Sequence, residues 1–222
     1  MSHLRLTRII SNPFQQNTFV VSHADTSECL IIDPGLEPDK IVQVLEEQNL
    51  TPTAILITHG HSDHIGGNHA IKARWPECTI VIGGGDAAKL TDPTLNLSAD
   101  YGTAITSPPA DKTVADGDVF TAAGLALEVL EIPGHSIGHV VYLYRDGSPM
   151  ALFGGDVLFA GSIGRTDFPD GDFQQLADAI HGKLFTLDDE TVVYPGHGPE
   201  TTIGAEKRAN PFVGEPAGYT PQ

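Results

Sequence analysis

The segment THGHSDHIGG (58–67) places His59, His61, Asp63 and His64 within six residues of a chain that has ten histidines. It emerges from AILIT (54–58), a continuous apolar run of the kind that forms a strand buried on both faces. Three imidazoles and a carboxylate at a strand exit gain nothing from packing, and they repel one another when charged. The segment therefore reads as part of a metal site.

Three further strand-like runs end the same way. LALEVLEI (125–132) runs into PGHSIGH (133–139), MALFGGD (150–156) ends on an aspartate, and TVVYPGHG (191–198) ends on a histidine. These add His135, Asp156 and His197. Glycines flank the candidates at Gly60, Gly134, Gly155, Gly196 and Gly198, where backbone must turn sharply and approach an ion or substrate. Seven candidates exceed the four ligands of a tetrahedral zinc. Two sites that share the Asp156 carboxylate divide them, with ions about 3.5 Å apart sharing a hydroxide. His3, His23, His69 and His181 read as surface or hydrogen-bonded residues. His139, inside GHSIGH, reads as a support behind the ligands.

Around these ends, strands and helices mix throughout. LRLTRII (4–10), NTFVV (17–21), CLIID (29–33), TIVIG (79–83) and VVYLYR (140–145) have strand composition. Asp33-Pro34-Gly35 stops the third. Pro38 opens a helix continued by IVQVLEEQ (41–48). A second helix is expected over 65–74, weakened by Gly66 and Gly67. A third covers 172–185, with Leu176, Ile180, Leu184 and Phe185 on its apolar face. Residues 91–111 read as a long surface loop which, with the C-terminal segment, lines the pocket. The pattern predicts a layered α/β domain spanning residues 1–222.

The net charge of -17, from 12 Lys and Arg against 29 Asp and Glu, excludes the basic stripe that nucleic-acid phosphates require. It equally disfavours an anionic membrane surface. Cys29 and Cys78 share no CxxC spacing and read as two buried thiols of a reducing compartment. MSHLRLTRIISNPF (1–14) is neither a signal peptide nor a membrane span, so the expected location is cytoplasmic.

Taken together, THGHSDHIGG, IPGHSIGH (132–139), GGDVLFAGSIGRTDF (154–168) and YPGHG (194–198) followed by TTIGAEKRANPF (201–212) resemble the metallo-β-lactamase superfamily, and within it the glyoxalase II-like hydrolases. The resemblance implies a four-layer αββα sandwich with the metals at one edge. It implies His59, His61 and His135 on a first ion, Asp63, His64 and His197 on a second, and Asp156 bridging. Asp33 is implied beneath the metal loop as an orienting residue. The implied cofactors are two divalent ions, zinc first, with iron or manganese also suited. The implied reaction is hydrolysis of a small-molecule thioester such as S-D-lactoylglutathione by a metal-bridging hydroxide, with Asp63 and Asp156 as the catalytic carboxylates. A thiolate with a solution pKa near 8.5 leaves without a dedicated acid, so the lack of a GxSxG triad signature costs nothing.

The chain departs from that pattern in places. Only 25 residues follow His197, too few for the helical glutathione-binding domain of full-length glyoxalase II enzymes. Arg165 falls where the family has a basic residue for the glutathione carboxylate, but Asp167 and Pro199 stand where it has tyrosines. The chain thus resembles the short, single-domain form. A persulfide dioxygenase, with one iron on His59, His135 and Asp156, is the alternative of the same fold. The complete second set, Asp63, His64 and His197, favours two metals. A β-lactamase is a weaker reading, given the lack of an export signal and the aspartate at 156.

Overall fold

The structure is a computed structural model that describes residues 4–220; His3 lies outside them. The first sheet contains β1 (Leu4–Ser11), β2 (Gln16–His23), β3 (Glu28–Ile32), β4 (Thr51–Ile57), β5 (Thr79–Gly83) and β6 (Lys112–Val114), side by side in that order. β1 to β3 are antiparallel, and β3 to β6 are parallel. Parallel neighbours need crossovers, and those between β3, β4 and β5 carry α1 (Pro38–Glu47), α2 (Ser62–Ile65) and α3 (Asn68–Arg74). The second sheet takes β7 (Val119–Ala122), β8 (Leu125–Glu131), β9 (Val140–Tyr144) and β10 (Ala151–Gly155). A ribbon of β11 (Leu158–Phe159) and β12 (Ser162–Ile163) follows, then α4 (Phe173–Ala179). β13 (Val192–Pro195) and β14 (Thr201–Thr202) complete the second sheet, in the order β14-β13-β10-β9-β8-β7, before α5 (Ile203–Ala209).

Strand alternation makes the layers. In β3, Leu30 and Ile32 enter the cluster between the sheets, where they join Leu56, Val81, Leu127, Tyr142 and Phe153. Ile31 points the other way and packs with Ile55, Ile57 and Ile80 against Ile41, Leu45 and Ile71 of the helices. In β9 the same period sends Tyr142 inward, while Val141 and Leu143 meet Leu176 of α4 and Ile203 of α5. The result is helix, sheet, sheet, helix, as expected. Cys29 and Cys78 are free and buried in the first helical layer, and burial pushes both thiols up to about 12.

Some local expectations change. The helix expected over 65–74 is broken in two at Gly66-Gly67. There the chain passes so close to Pro34 and Gly35 that a Cβ on Gly67 would sit 2.9 Å from the Gly35 carbonyl oxygen. The third strand ends at Ile32, and Asp33 turns out of it with φ 50°. The helix expected over 172–185 loosens after Ala179, and the Phe185 N–H reaches back to Ile180 O at 2.8 Å. Its start is as the sequence requires, with Asp172 accepting from the Gln175 N–H at 2.9 Å. Residues 91–111 hold a helical turn, Ser98–Tyr101. The C-terminal segment does not line the pocket: Ile203 and Val213 pack into the second helical layer. Among the described residues no helix is long and apolar enough to cross a membrane.

Candidate metal centre

The strand ends named by the sequence meet at one edge of the sandwich. His59, His61, Asp63 and His64 follow β4 of the first sheet. His135 follows β8, Asp156 follows β10 and His197 follows β13, all of the second sheet. His135 Nε2 lies 3.2 Å from His59 Nε2 and 3.0 Å from His61 Nδ1. A tetrahedral ion with nitrogens at about 2.0–2.1 Å has ligand–ligand edges of about 3.4 Å, so this trio has the spacing of one coordination face. Asp63 Oδ2 lies 3.7 Å from His64 Nε2 and 3.3 Å from His197 Nε2, a second trio. Asp156 stands between them. Its Oδ1 is 3.4 Å from His64, and its Oδ2 is 3.5 Å from His197 and 3.7 Å from His135.

The nitrogens away from the centre fix which tautomer each ring adopts. His64 Nδ1 donates to Asp33 Oδ2 at 2.9 Å, His135 Nδ1 to Arg165 O at 2.8 Å, and His197 Nδ1 to Phe14 O at 3.0 Å. Thr58 Oγ1 spends its own proton on Asp33 Oδ2, so at 3.1 Å it accepts from His59 Nδ1. In their neutral forms these four rings turn a lone pair toward the centre, as metal-binding imidazoles do. His64 Nε2 and Asp156 Oδ1 are buried without a hydrogen-bond partner, although only 3.4 Å apart. Two such electron donors aimed at one point fit a shared cation better than they fit each other.

Charge divides the cluster. Burial holds His59, His61 and His135 below the ordinary imidazole range, helped by repulsion from His64 at His59 and from His135 and Lys89 at His61, so this trio favours the neutral form. Burial also opposes a charge on His64 and His197, yet carboxylates win. Asp63, Asp156 and Asp33 hold His64 well above its ordinary value, and Asp63 and Asp156 raise His197. Against the same burial, His64 and His197 keep Asp156 and Asp63 ionised. Without a cation the acidic half draws protons into the position a metal would take. The donor set and its charge therefore fit divalent ions.

Of the remaining sequence candidates, Asp33 is the orienting residue expected. It accepts from Thr58 N–H at 2.7 Å, from Thr58 Oγ1 at 2.6 Å and from His64. His139 sits behind the ligands, stacked on His59 at 4.8 Å, with Nε2 accepting from the Asp156 N–H at 3.1 Å. His69 is exposed, His181 bonds Val213 O at 2.7 Å, and His23 ends β2; none joins the cluster. Gly196 is required by close approach, since a Cβ there would fall 2.2 Å from Asp156 Oδ1.

Above the cluster opens a cavity of about 340 Å³. Phe14, Leu97, Tyr101, Phe159, Ile163 and Phe168 give it apolar walls, and Arg165 is the cation at its rim. Arg165 is turned onto Asp167 through two bonds of 2.7 Å and lies over Phe168 at 4.3 Å. Leu97 and Tyr101 belong to the 91–111 segment expected to line the pocket, but the sequence did not single out individual wall residues. Phe14 and Tyr101 come from irregular segments where no periodicity marks an aromatic as functional.

Fold and site together define a metallo-hydrolase. The chain belongs to the metallo-beta-lactamase superfamily, whose family model matches residues 11–197. It is 39% identical over 211 residues to the probable metallo-hydrolase YqgX of Bacillus subtilis, covering 95% of this chain and 98% of that one. It is 37% identical over 207 residues to the hydroxyacylglutathione hydrolase GloC of Haemophilus influenzae, covering 90% and 93%. Among solved structures it resembles the BLEG-1 B3 metallo-beta-lactamase, with TM-score 0.89, 39% identity and coverage of 94% and 99%. TTHA1623 in a di-iron-bound form gives 0.81, 35%, and coverage of 93% and 100%. ETHE1 from Myxococcus xanthus gives 0.79, 31%, and coverage of 95% and 85%.

Proposed function

We propose that this chain is a binuclear metal-dependent thioester hydrolase of the glyoxalase II type, with S-D-lactoylglutathione as its model substrate. The observation that carries the reading is the division of seven ligand-type side chains into two trios with Asp156 within 3.4–3.7 Å of members of both. In this reading His59, His61 and His135 hold one ion, Asp63, His64 and His197 hold the other, and Asp156 serves both. Zinc is the first candidate, with iron or manganese suited to the same donors. The likeness to a di-iron-bound protein supports two metals and keeps iron in view. Residues 1–222 are read as one cytoplasmic domain acting on a small molecule, with no nucleic-acid or membrane partner.

A divalent pair, when bound, supplies Lewis acidity and lowers the pKa of water to about 7. The chain's own groups do the rest. Asp63 and Asp156, kept ionised, accept the hydrogens of an attacking water and hold it toward the acyl carbon. The apolar walls exclude competing water and seat the acyl and thiol arms. The thiolate leaves with a solution pKa near 8.5, so no proton donor is needed beside it. The name of the GloC relative supports this substrate class.

The likeness to ETHE1 favours a second reading, a persulfide dioxygenase with one iron on His59, His135 and Asp156. The deciding experiment is thiol release from S-D-lactoylglutathione by metal-loaded protein, with a chelated control and a β-lactam as competing substrate. Fast, chelator-sensitive release is expected. No release, with oxygen uptake on glutathione persulfide, would replace the first reading by the second. Preferential β-lactam cleavage would move the chain toward the BLEG-1 likeness.

A further inference from the structure

Beneath the first trio lies a carboxylate that mirrors Asp33 beneath the second. Asp86 is fully buried in the helical turn Gly84–Leu90 that follows β5. Its Oδ2 accepts from the Gly60 N–H at 2.8 Å, between His59 and His61, and from the hydroxyl of Ser136, the residue after His135. Its Oδ1 accepts from the Gly138 N–H at 2.8 Å. One carboxylate thus gathers three donors from the two loops that carry the first trio. Those loops belong to opposite sheets, since His59 and His61 follow β4 and His135 follows β8.

The burial of this charge is compensated locally. Lys89, itself 6% exposed, places Nζ 3.4 Å from Asp86 Oδ1 and donates to Ser136 Oγ and, at 2.6 Å, to Asp170 Oδ2. Asp170 also accepts from the Ile137 N–H at 3.1 Å, tying down the His135 loop a second time. The backbones are pressed together where these bonds form. A Cβ on Gly138 would sit 2.2 Å from Asp86 N, and one on Gly60 would sit 2.5 Å from Lys89 Cβ. Neither Asp86 nor Lys89 lines the cavity, so neither is placed to touch substrate.

We propose that Asp86 is a positioning residue of the first trio: it sets the separation between the His59–His61 loop and the His135 loop, and Lys89 with Asp170 keeps its charge in place. The inference rests on reading the trio as a metal site. A carboxylate held by three donors and a buried ammonium has a fixed geometry, and groups behind metal ligands transmit that geometry to the ion.

The test is zinc affinity, measured for each equivalent by chelator competition, in the wild type and in Asp86→Asn and Ser136→Ala. His61→Ala and Asp63→Ala serve as references for a donor lost from either trio. Asp86→Asn is expected to weaken one equivalent about 10- to 100-fold, as outer partners of metal ligands do, and to reproduce the His61→Ala pattern. Ser136→Ala, which removes one of the three donors, should weaken the same equivalent less. Asp86→Asn with both equivalents within about threefold of wild type, or with the Asp63→Ala pattern, would overturn the proposal. If Asp86→Asn does not fold, Ser136→Ala decides by the same criterion. A wild-type chain that binds no zinc is a different failure, that of the metal reading itself.

Discussion

At the floor of the cavity, His59, His64, His135 and Asp156 touch one another and the buried groups beneath them, and every ring nitrogen of His59, His135 and His197 has a fixed neighbour. At the mouth, Phe14 and Tyr101 stand 39% and 60% exposed and meet each other edge-on at 5.6 Å, while Arg165 leans on Asp167 outside the core. The floor comes from ends of strands that two sheets hold rigid. The mouth comes from connections between elements, tied to the floor by bonds such as His197 Nδ1 to Phe14 O and His135 Nδ1 to Arg165 O. In the proposed reading, the groups that tolerate little displacement lie on the strand ends and the substrate-facing groups on the connections.

The sharpest way to break this contrast is at its centre. Asp156→Asn should lower kcat/KM for the thioester by at least about a hundredfold and release metal from both halves, beyond the usual cost of an outer partner. Full activity with full metal content in that variant would end the shared role of Asp156. One layer down, Asp33→Asn leaves the Thr58 amide, the Thr58 hydroxyl and His64 facing an uncharged amide. The expected cost is about 1–3 kcal/mol in urea unfolding of the metal-free protein. An unchanged unfolding midpoint would show that the floor does not depend on the carboxylates beneath it.

The mouth should respond more mildly and selectively. Arg165→Ala should raise KM up to about fivefold for carboxylate-bearing thioesters and leave neutral ones alone, because exposed charge pairs are weak. Asp167→Asn should do the reverse, since it frees Arg165 for a substrate carboxylate. Equal effects on charged and neutral thioesters would reduce Arg165 to a structural role. The smallest effect concerns pH. The bond from Arg165 holds the Asp167 carboxyl at about 2. A depressed carboxyl pKa means the pair is intact above the ordinary carboxylate range and is lost only as pH falls through that depressed value. The selectivity change in Asp167→Asn should therefore be flat between about pH 5 and 9. A slope in that window would place another titrating group at the rim.

The floor was legible in the sequence because each ligand sits where an apolar run ends in glycine, a local signature of a strand exit. The place of Asp33 beneath the loop came from resemblance, since its local pattern marks only a turn. Asp86 carries a similar signature, following TIVI and three glycines, but the bonds it makes to the amides of Gly60 and Gly138 depend on tertiary packing. The layered α/β class was legible from mixed periodicity, whereas the four-layer arrangement rested on resemblance. The break at Gly66-Gly67 was half visible, as two weak helix formers whose packing against Pro34 and Gly35 no local pattern encodes. The mouth was legible as the 91–111 segment and Arg165 but not as its aromatics, since an exposed aromatic in a connection looks the same whether or not a cavity lies beneath it.

The pairing of Gln16 with His197, with the Asn17 N–H donating to Gly196 O at 2.7 Å, joins β2 to the last histidine of the candidate site. During synthesis at about 5–20 residues per second, His197 emerges roughly 7–28 s after His59. For that interval a ribosome-bound chain has the His59–His64 loop without the strand end that carries His197. The cluster is therefore complete only once β13 has joined β10 and its following loop has met Gln16.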